Sequence, residues 1–196
     1  LISSLLFLLV LSLAIGADRG DVLGVPFITF LAPGLISMQV IQQSFSHSSS
    51  SFMIGKIQGN IVDLLYAPLS ATEVTISVAL AAVTRSLMIA IVSIIVFKLI
   101  IDIEITNYLL LIVFTLLSSF ILGNIGIIAG LWAEKFDHMA TVTNFVIVPL
   151  SFLSGTFYSI DRLPEFLQIV SKANPFFYMI DGFRYSFIGQ ADGSIT

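Results

Sequence analysis

The sequence contains no cysteine, which excludes disulfide staples, thiolate nucleophiles and thiolate metal sites. It is also poor in charge. Asp, Glu, Lys and Arg make up 10% of its 196 residues, against roughly 25% in an average soluble domain. A soluble chain of this length could not cover its surface with so few ionised groups. Basic residues are the scarcer kind: Lys and Arg number 8 against 12 Asp and Glu, for a formal net charge of −4. That balance offers no basic patch for nucleic acid. Histidine occurs twice, at His47 and His138, in no metal-ligand spacing. No G-x-x-x-x-G-K-[ST] motif occurs, so no phosphate-cradling loop for ATP is present.

What is abundant is apolar. Hydrophobic residues are 57% of the chain and the mean hydropathy is +1.05. The few charges are segregated: none occurs between Asp21 and Lys56, between Glu104 and Glu134, or between Asp137 and Asp161. Each gap holds the roughly 20 apolar residues that a helix needs to cross about 30 Å of hydrocarbon. A transmembrane barrel would instead alternate over segments of about ten residues. Unbroken runs such as 109–117 argue for helices, which satisfy their backbone groups within one segment.

These patterns predict an all-α, polytopic helical bundle forming a single transmembrane domain. Its spans fall at about 1–15, 26–45, 71–98, 108–132 and 139–156. The opening run lacks a basic region before it and a small-residue cleavage pattern after it, so it fits a clipped span better than a signal peptide. The turn 16–21 follows it. Pro33-Gly34 interrupts the second span. The Ser-rich stretch 46–51 is too polar for the bilayer core and predicts a break, followed by a short interfacial helix within 52–68. Ser70-Ala71-Thr72-Glu73 matches a capping box and predicts the start of the third span. Gly123, Gly126 and Gly130 fall on one face of the fourth span, which favours close helix packing. Beyond 157 no segment is long enough to cross. Two amphipathic helices, about 164–172 and 175–187, are expected there, each opened by a proline.

Several segments together resemble the type-2 ATP-binding-cassette (ABC) permeases of the export family. Phe30-Leu31-Ala32-Pro33-Gly34-Leu35 is similar to the pattern of that family's second span. KIQGNIVDLLYAP, from Lys56 to Pro68, resembles its cytoplasmic segment. The run 149–158 resembles the end of its fifth span, and Leu163-Pro164, Asn174-Pro175 and Asp181-Gly182-Phe183-Arg184 resemble the reentrant region that follows. The four lie in order over almost the whole chain.

The resemblance implies an exporter permease in the bacterial cytoplasmic (inner) membrane, with about six spans of which about five are present here. It implies a cytoplasmic coupling segment at 52–68 and an external reentrant region at 157–189. The implied partners are an ABC ATPase subunit, which binds the ATP and Mg and hydrolyses the ATP, a second permease copy as a homodimer, and the lipid bilayer. This chain itself would hold no cofactor and no catalytic or metal site. The orientation follows from the resemblance, because the Lys and Arg residues do not concentrate on one side.

Lys56, Asn60, Asp63 and Pro68 are therefore candidates for coupling to the ATPase, set against an ordinary interfacial helix that joins two spans. Gly155, Pro164, Pro175 and Arg184 are candidates for an outer gate, set against helices packed on the bundle, with Asp181 and Arg184 spaced to pair at i,i+3. Arg85 is an intramembrane charge. It is read as a pathway residue that meets an anionic head group, as an interfacial anchor, or as a partner for an acid in a segment outside this sequence. Glu134, Asp137 and His138 form a tight polar loop rather than a catalytic cluster. Pro33 and Pro149 are expected to kink their helices.

Two other function classes remain. An ion-coupled secondary transporter usually carries an acid or His within the membrane, and the second, fourth and fifth spans hold no Asp or Glu. A membrane-embedded lipid-modifying enzyme needs a nucleophile with a base, or paired carboxylates, at one depth. No such constellation is visible.

Overall fold

A computed structural model describes residues 6–10, 22–101 and 103–193. Most of the expected first span, the turn 16–21 and residues 194–196 lie outside the described residues. The described chain is helical, with an isolated bridge between Val22 and Val25. In chain order the helices are α1 (Phe27–Gln58), α2 (Ile61–Tyr66), α3 (Ala71–Ile100) and α4 (Tyr108–Trp132). A run follows of α5 (Phe136–Val142), a π-helical segment (Thr143–Ile147) and α6 (Val148–Phe152). The chain ends with α7 (Glu165–Ala173) and α8 (Pro175–Ile188). Helices α3 and α4 are each long and apolar enough to cross a membrane, and they stand where the sequence placed its third and fourth spans.

The local causes are specific. At the start of α3, the Ser70 N–H and hydroxyl both donate to Glu73 Oε2, at 2.7 and 2.8 Å, and Glu73 N–H donates back to Ser70 Oγ at 3.3 Å. This reciprocal capping satisfies two N-terminal donors, as the Ser-x-x-Glu spacing predicted. The π segment ends at Ile147, two residues before Pro149. Proline cannot donate to the carbonyl of Phe145 and its ring crowds that carbonyl. The wider turn accommodates both effects without ending the run.

Two expectations are corrected: Pro33-Gly34 does not interrupt the second span, since α1 runs through Pro33 near its start, and the serine stretch does not end it. The stretch 46–51 is no break: α1 continues through it to Gln58, over 32 residues. Its short hydroxyl side chains are satisfied within the helix, by bonding back to carbonyls one turn earlier, and so do not require the chain to leave it. Ser50 Oγ donates to the Ser46 carbonyl at 2.5 Å and Ser51 Oγ to the His47 carbonyl at 2.8 Å. The segment 52–68 is consequently not one helix. Its first part is the end of α1, Gly59 turns the chain at φ +78°, and α2 is a separate short helix.

The fold comprises two compact units. The first draws on the described residues within 1–39, 89–115 and 150–196. Its core gathers Phe30, Leu31, Leu35, Phe97, Phe183 and Phe187, all buried. The second draws on 40–88 and 116–149. Its packing depends on small residues: an added Cβ at Gly126 would stand 2.5 Å from the Phe45 carbonyl oxygen, and one at Gly130 would stand 2.7 Å from that of Ser49. The glycine face of α4 therefore lies directly on the backbone of α1. Ser44, Ser48 and Ser49 are buried within this unit. The same small side chains that suggested a loop are what let the two helices approach.

Candidate functional site

In the second unit, the hydrophobic side of α2 is held by Ile61 and Leu64, which pack against the buried cluster of Phe52, Ala79 and Ile127. Val62, Asp63 and Tyr66 remain exposed, Tyr66 at 86%. An apolar cavity of about 300 Å³ lies beside the helix, lined by residues that include Phe52, Ile61, Leu64, Leu69 and Leu131. The coupling candidates divide here. Lys56 Nζ donates to the carbonyl oxygens of Leu131 and Ala133, the latter at 3.0 Å. It thus satisfies carbonyls at the C-terminus of α4, where a cation is favoured by the helix dipole. Asn60 Nδ2 donates to Gln58 Oε1 at 3.2 Å, on the surface. Asp63 and Pro68 are exposed. Lys56 is therefore part of the scaffold, while Asn60, Asp63 and Pro68 stand on the accessible side.

In the first unit, Arg184 is the centre of a buried polar network. It is fully buried, and its guanidinium lies 3.9 Å from the ring centroid of Phe30. Its Nη2 donates to the carbonyls of Gly155, at 2.7 Å, and Thr156, at 3.3 Å. Asp181 Oδ1 and Asp192 Oδ2 stand 3.9 and 4.0 Å from Nη1. Asp181 accepts from the backbone N–H groups of Asp192, at 3.0 Å, and Gly193, at 2.8 Å. Asp192 accepts from Ser159 Oγ at 2.5 Å and from the Ile160 N–H at 3.2 Å. Burial lowers the Arg184 guanidinium to about 10 against the upward pull of Asp181 and Asp192. Burial also pushes the Asp181 carboxyl up, against its two backbone donors and Arg184, with the Asp192 charge adding to the rise.

The outer-gate candidates are thus partly brought together. Gly155, in the left-handed region at φ +73°, presents its carbonyl to Arg184. Pro164 and Pro175 do not enter the network; they open α7 and α8. Beside Pro175, Asn174 Oδ1 accepts from the Phe176 N–H at 3.0 Å and its Nδ2 donates to the Leu150 carbonyl at 2.7 Å. Sequence reasoning missed Gly34, Thr156, Ser159 and Asp192, which meet Arg184 or its carboxylates only through the tertiary fold. The Pro33-Gly34 pair was the available signal, since a glycine after a mid-helix proline marks a close approach.

Arg85 is exposed on α3, and its Nη1 lies 3.3 Å from His47 Nδ1. Nearby Ser44 and Ser86, both buried, share a hydrogen bond of 2.5 Å. Among the described residues no group of His, Asp and Glu is placed to hold a metal ion.

Comparison with known proteins gives a consistent result. The model of the ABC-2 type transporter family matches residues 1–188. The chain is 33% identical over 191 residues to the inner membrane transport permease YadH of Escherichia coli strain K12, covering 97% of this chain and 75% of that protein. It is 26% identical over 192 residues to nodulation protein J of Rhizobium leguminosarum bv. viciae, covering 94% and 72%. It is 21% identical over 187 residues to nodulation protein J of Sinorhizobium fredii, covering 95% and 71%.

Proposed function

The chain belongs to the ABC-2 type transporter family, and from that premise we propose that it is the transmembrane permease subunit of an ABC exporter. It forms the substrate pathway in the bacterial inner membrane, as the name of its relative in Escherichia coli suggests. A separate ABC ATPase subunit binds Mg and ATP and drives it, a partner that membership of the family implies in general. A second copy of the permease completes the pathway. The observation that carries the reading is the family match over residues 1–188, almost the whole chain.

The surface that meets the ATPase is the exposed side of α2 with its flanks, Asn60, Asp63 and Pro68. A mechanical joint needs a short, rigid, accessible element seated on helices that move with it, and α2 rests on Phe52 and Ala79 through Ile61 and Leu64. Lys56 holds the base of that joint to α4. The region 157–189 is the outer reentrant segment, which enters the membrane without crossing it. Its gate residue is Arg184, latched to the Gly155 and Thr156 carbonyls. The test is affinity purification of the full-length permease with the ATPase encoded beside it. Co-purification is expected. A permease that never captures the ATPase, and an ATPase whose turnover ignores the permease, would remove the assignment.

A further inference from the structure

We infer that Arg85 and His47, with the polar stripe beside them, form a binding site for the anionic, phosphate-type head group of a single-chain or double-chain amphiphile. As a binding site this stands on the geometry of the second unit; as the exporter's substrate site it rests on the transport reading above.

The argument begins with an unbalanced charge. Arg85 lies in the middle of α3, a helix of 30 residues that is apolar enough to span a membrane, and its side chain is exposed. An ionised group at such a position is costly unless something compensates it. Among the described residues no Asp or Glu forms an ion pair with Arg85. The sequence has no Asp or Glu between Asp21 and Asp63, between Glu73 and Asp102, or between Glu104 and Glu134. No carboxylate among the described residues compensates Arg85, and its charge is open to an anionic ligand.

The pair is built to receive one. Arginine has no acceptor, so the contact of 3.3 Å requires that Nη1 donate to His47 Nδ1. The imidazole is then neutral with its proton on Nε2. Arg85 and His47 together present only N–H donors and one positive charge, the complement of a phosphate oxygen face. The neighbouring surface of α1 is polar as well. Gln43, Ser46, His47 and Ser50 fall at i, i+3, i+4 and i+7, one helical face, and none of them is buried. Such a stripe is unsuited to hydrocarbon and suits a wet cavity or pathway. The companion surface is apolar: Met88, one turn beyond Arg85 on α3, is 64% exposed, and Leu80 is 54% exposed. Donors beside exposed aliphatic side chains fit a ligand with a charged head and a hydrocarbon tail.

The test uses the intact permease in dodecyl maltoside and a fluorescent lysophosphatidic acid, followed by fluorescence polarisation. R85Q should weaken binding about tenfold, the size of one lost charge-assisted hydrogen bond. R85K should retain most of the affinity and H47A should lose part of it. Unlabelled lysophosphatidic acid should displace the probe, while a monoacylglycerol of the same chain length should not. Unchanged binding in R85Q would overturn the site. Displacement by glycerol 3-phosphate as efficient as by the acylated compound would overturn the amphiphile assignment. Equal displacement by phosphatidylcholine would reduce Arg85 to an ordinary head-group anchor and also overturn it. The same preparations are checked for ATPase capture. Failure of capture in the parent protein removes the transport reading alone, whereas intact capture with binding indifferent to Arg85 removes this site alone.

Discussion

Gly34 and Arg184 are locked together by absence: a Cβ added to Gly34 would stand 2.9 Å from Arg184 Nη2 and 2.7 Å from the Thr156 carbonyl oxygen that the same nitrogen contacts. The hydrogen atom on Gly34 is what lets a buried guanidinium sit against α1. G34A should therefore destabilise the protein by roughly 1–3 kcal/mol, the usual cost of overpacking a tight site. Thermal unfolding of the detergent-solubilised protein, followed by intrinsic fluorescence, should show the lower midpoint. An unchanged midpoint would mean that the guanidinium has another place to go.

Removing Arg184 itself is expected to cost more. R184A leaves Asp181 and Asp192 buried without their cation, and breaking a buried ionic network from one side costs roughly 3–5 kcal/mol. D181N keeps the shape and the acceptor oxygen, so its loss should be smaller. The two variants compared in the same melt separate the charge from the packing.

Asp181 also sets a pH dependence. Its carboxyl is raised above its ordinary value by burial, so the folded state holds the proton more tightly than the unfolded state. Stability is thus fully present below the ordinary carboxylate range and is lost as pH rises through the raised value. D181N should flatten this slope in melts taken across that range. A parent protein that gains stability over the same interval would contradict the sign.

Much of this arrangement was legible in the sequence, and the reason differs by element. The starts of α3, α7 and α8 were readable because their signals are local: Ser70 with Glu73, then Pro164 and Pro175. The glycine face of α4 was readable because Gly123, Gly126 and Gly130 keep helical spacing. The serine run 46–51 misled because polarity was weighed by composition. Its hydroxyls bond back to their own helix, and Ser48 and Ser49 are buried in the second unit beside Gly126 and Gly130. The partners of Arg184 were invisible because Gly34, Gly155 and Asp192 are far apart in the chain and meet only after folding.

The glycine face supports a graded test. G126A and G130A place a Cβ at 2.5 and 2.7 Å from α1 carbonyl oxygens, whereas at Gly123 the nearest atom is Ala82 Cβ at 3.3 Å. G126A and G130A should each lower the unfolding midpoint clearly, by the roughly 1–3 kcal/mol of an overpacked helix contact, and G123A much less. Equal effects at all three would contradict the close approach at Gly126 and Gly130.

Lys56 and Asp63 should separate scaffold from joint. K56M leaves the Leu131 and Ala133 carbonyls without their donor and should lower stability by roughly 1–3 kcal/mol. D63A removes an exposed carboxylate and should leave the melt within about 0.5 kcal/mol of the parent. Both should impair coupling to the ATPase, K56M through the scaffold and D63A through the contact.

ATP hydrolysis by the partner ATPase, measured alone and co-reconstituted with the full-length permease in proteoliposomes, tests the assignment most directly. Turnover that rises with the parent permease and falls back with the stably folded D63A variant is the expected result. Turnover that is the same with the parent permease, with D63A and with no permease at all would contradict it.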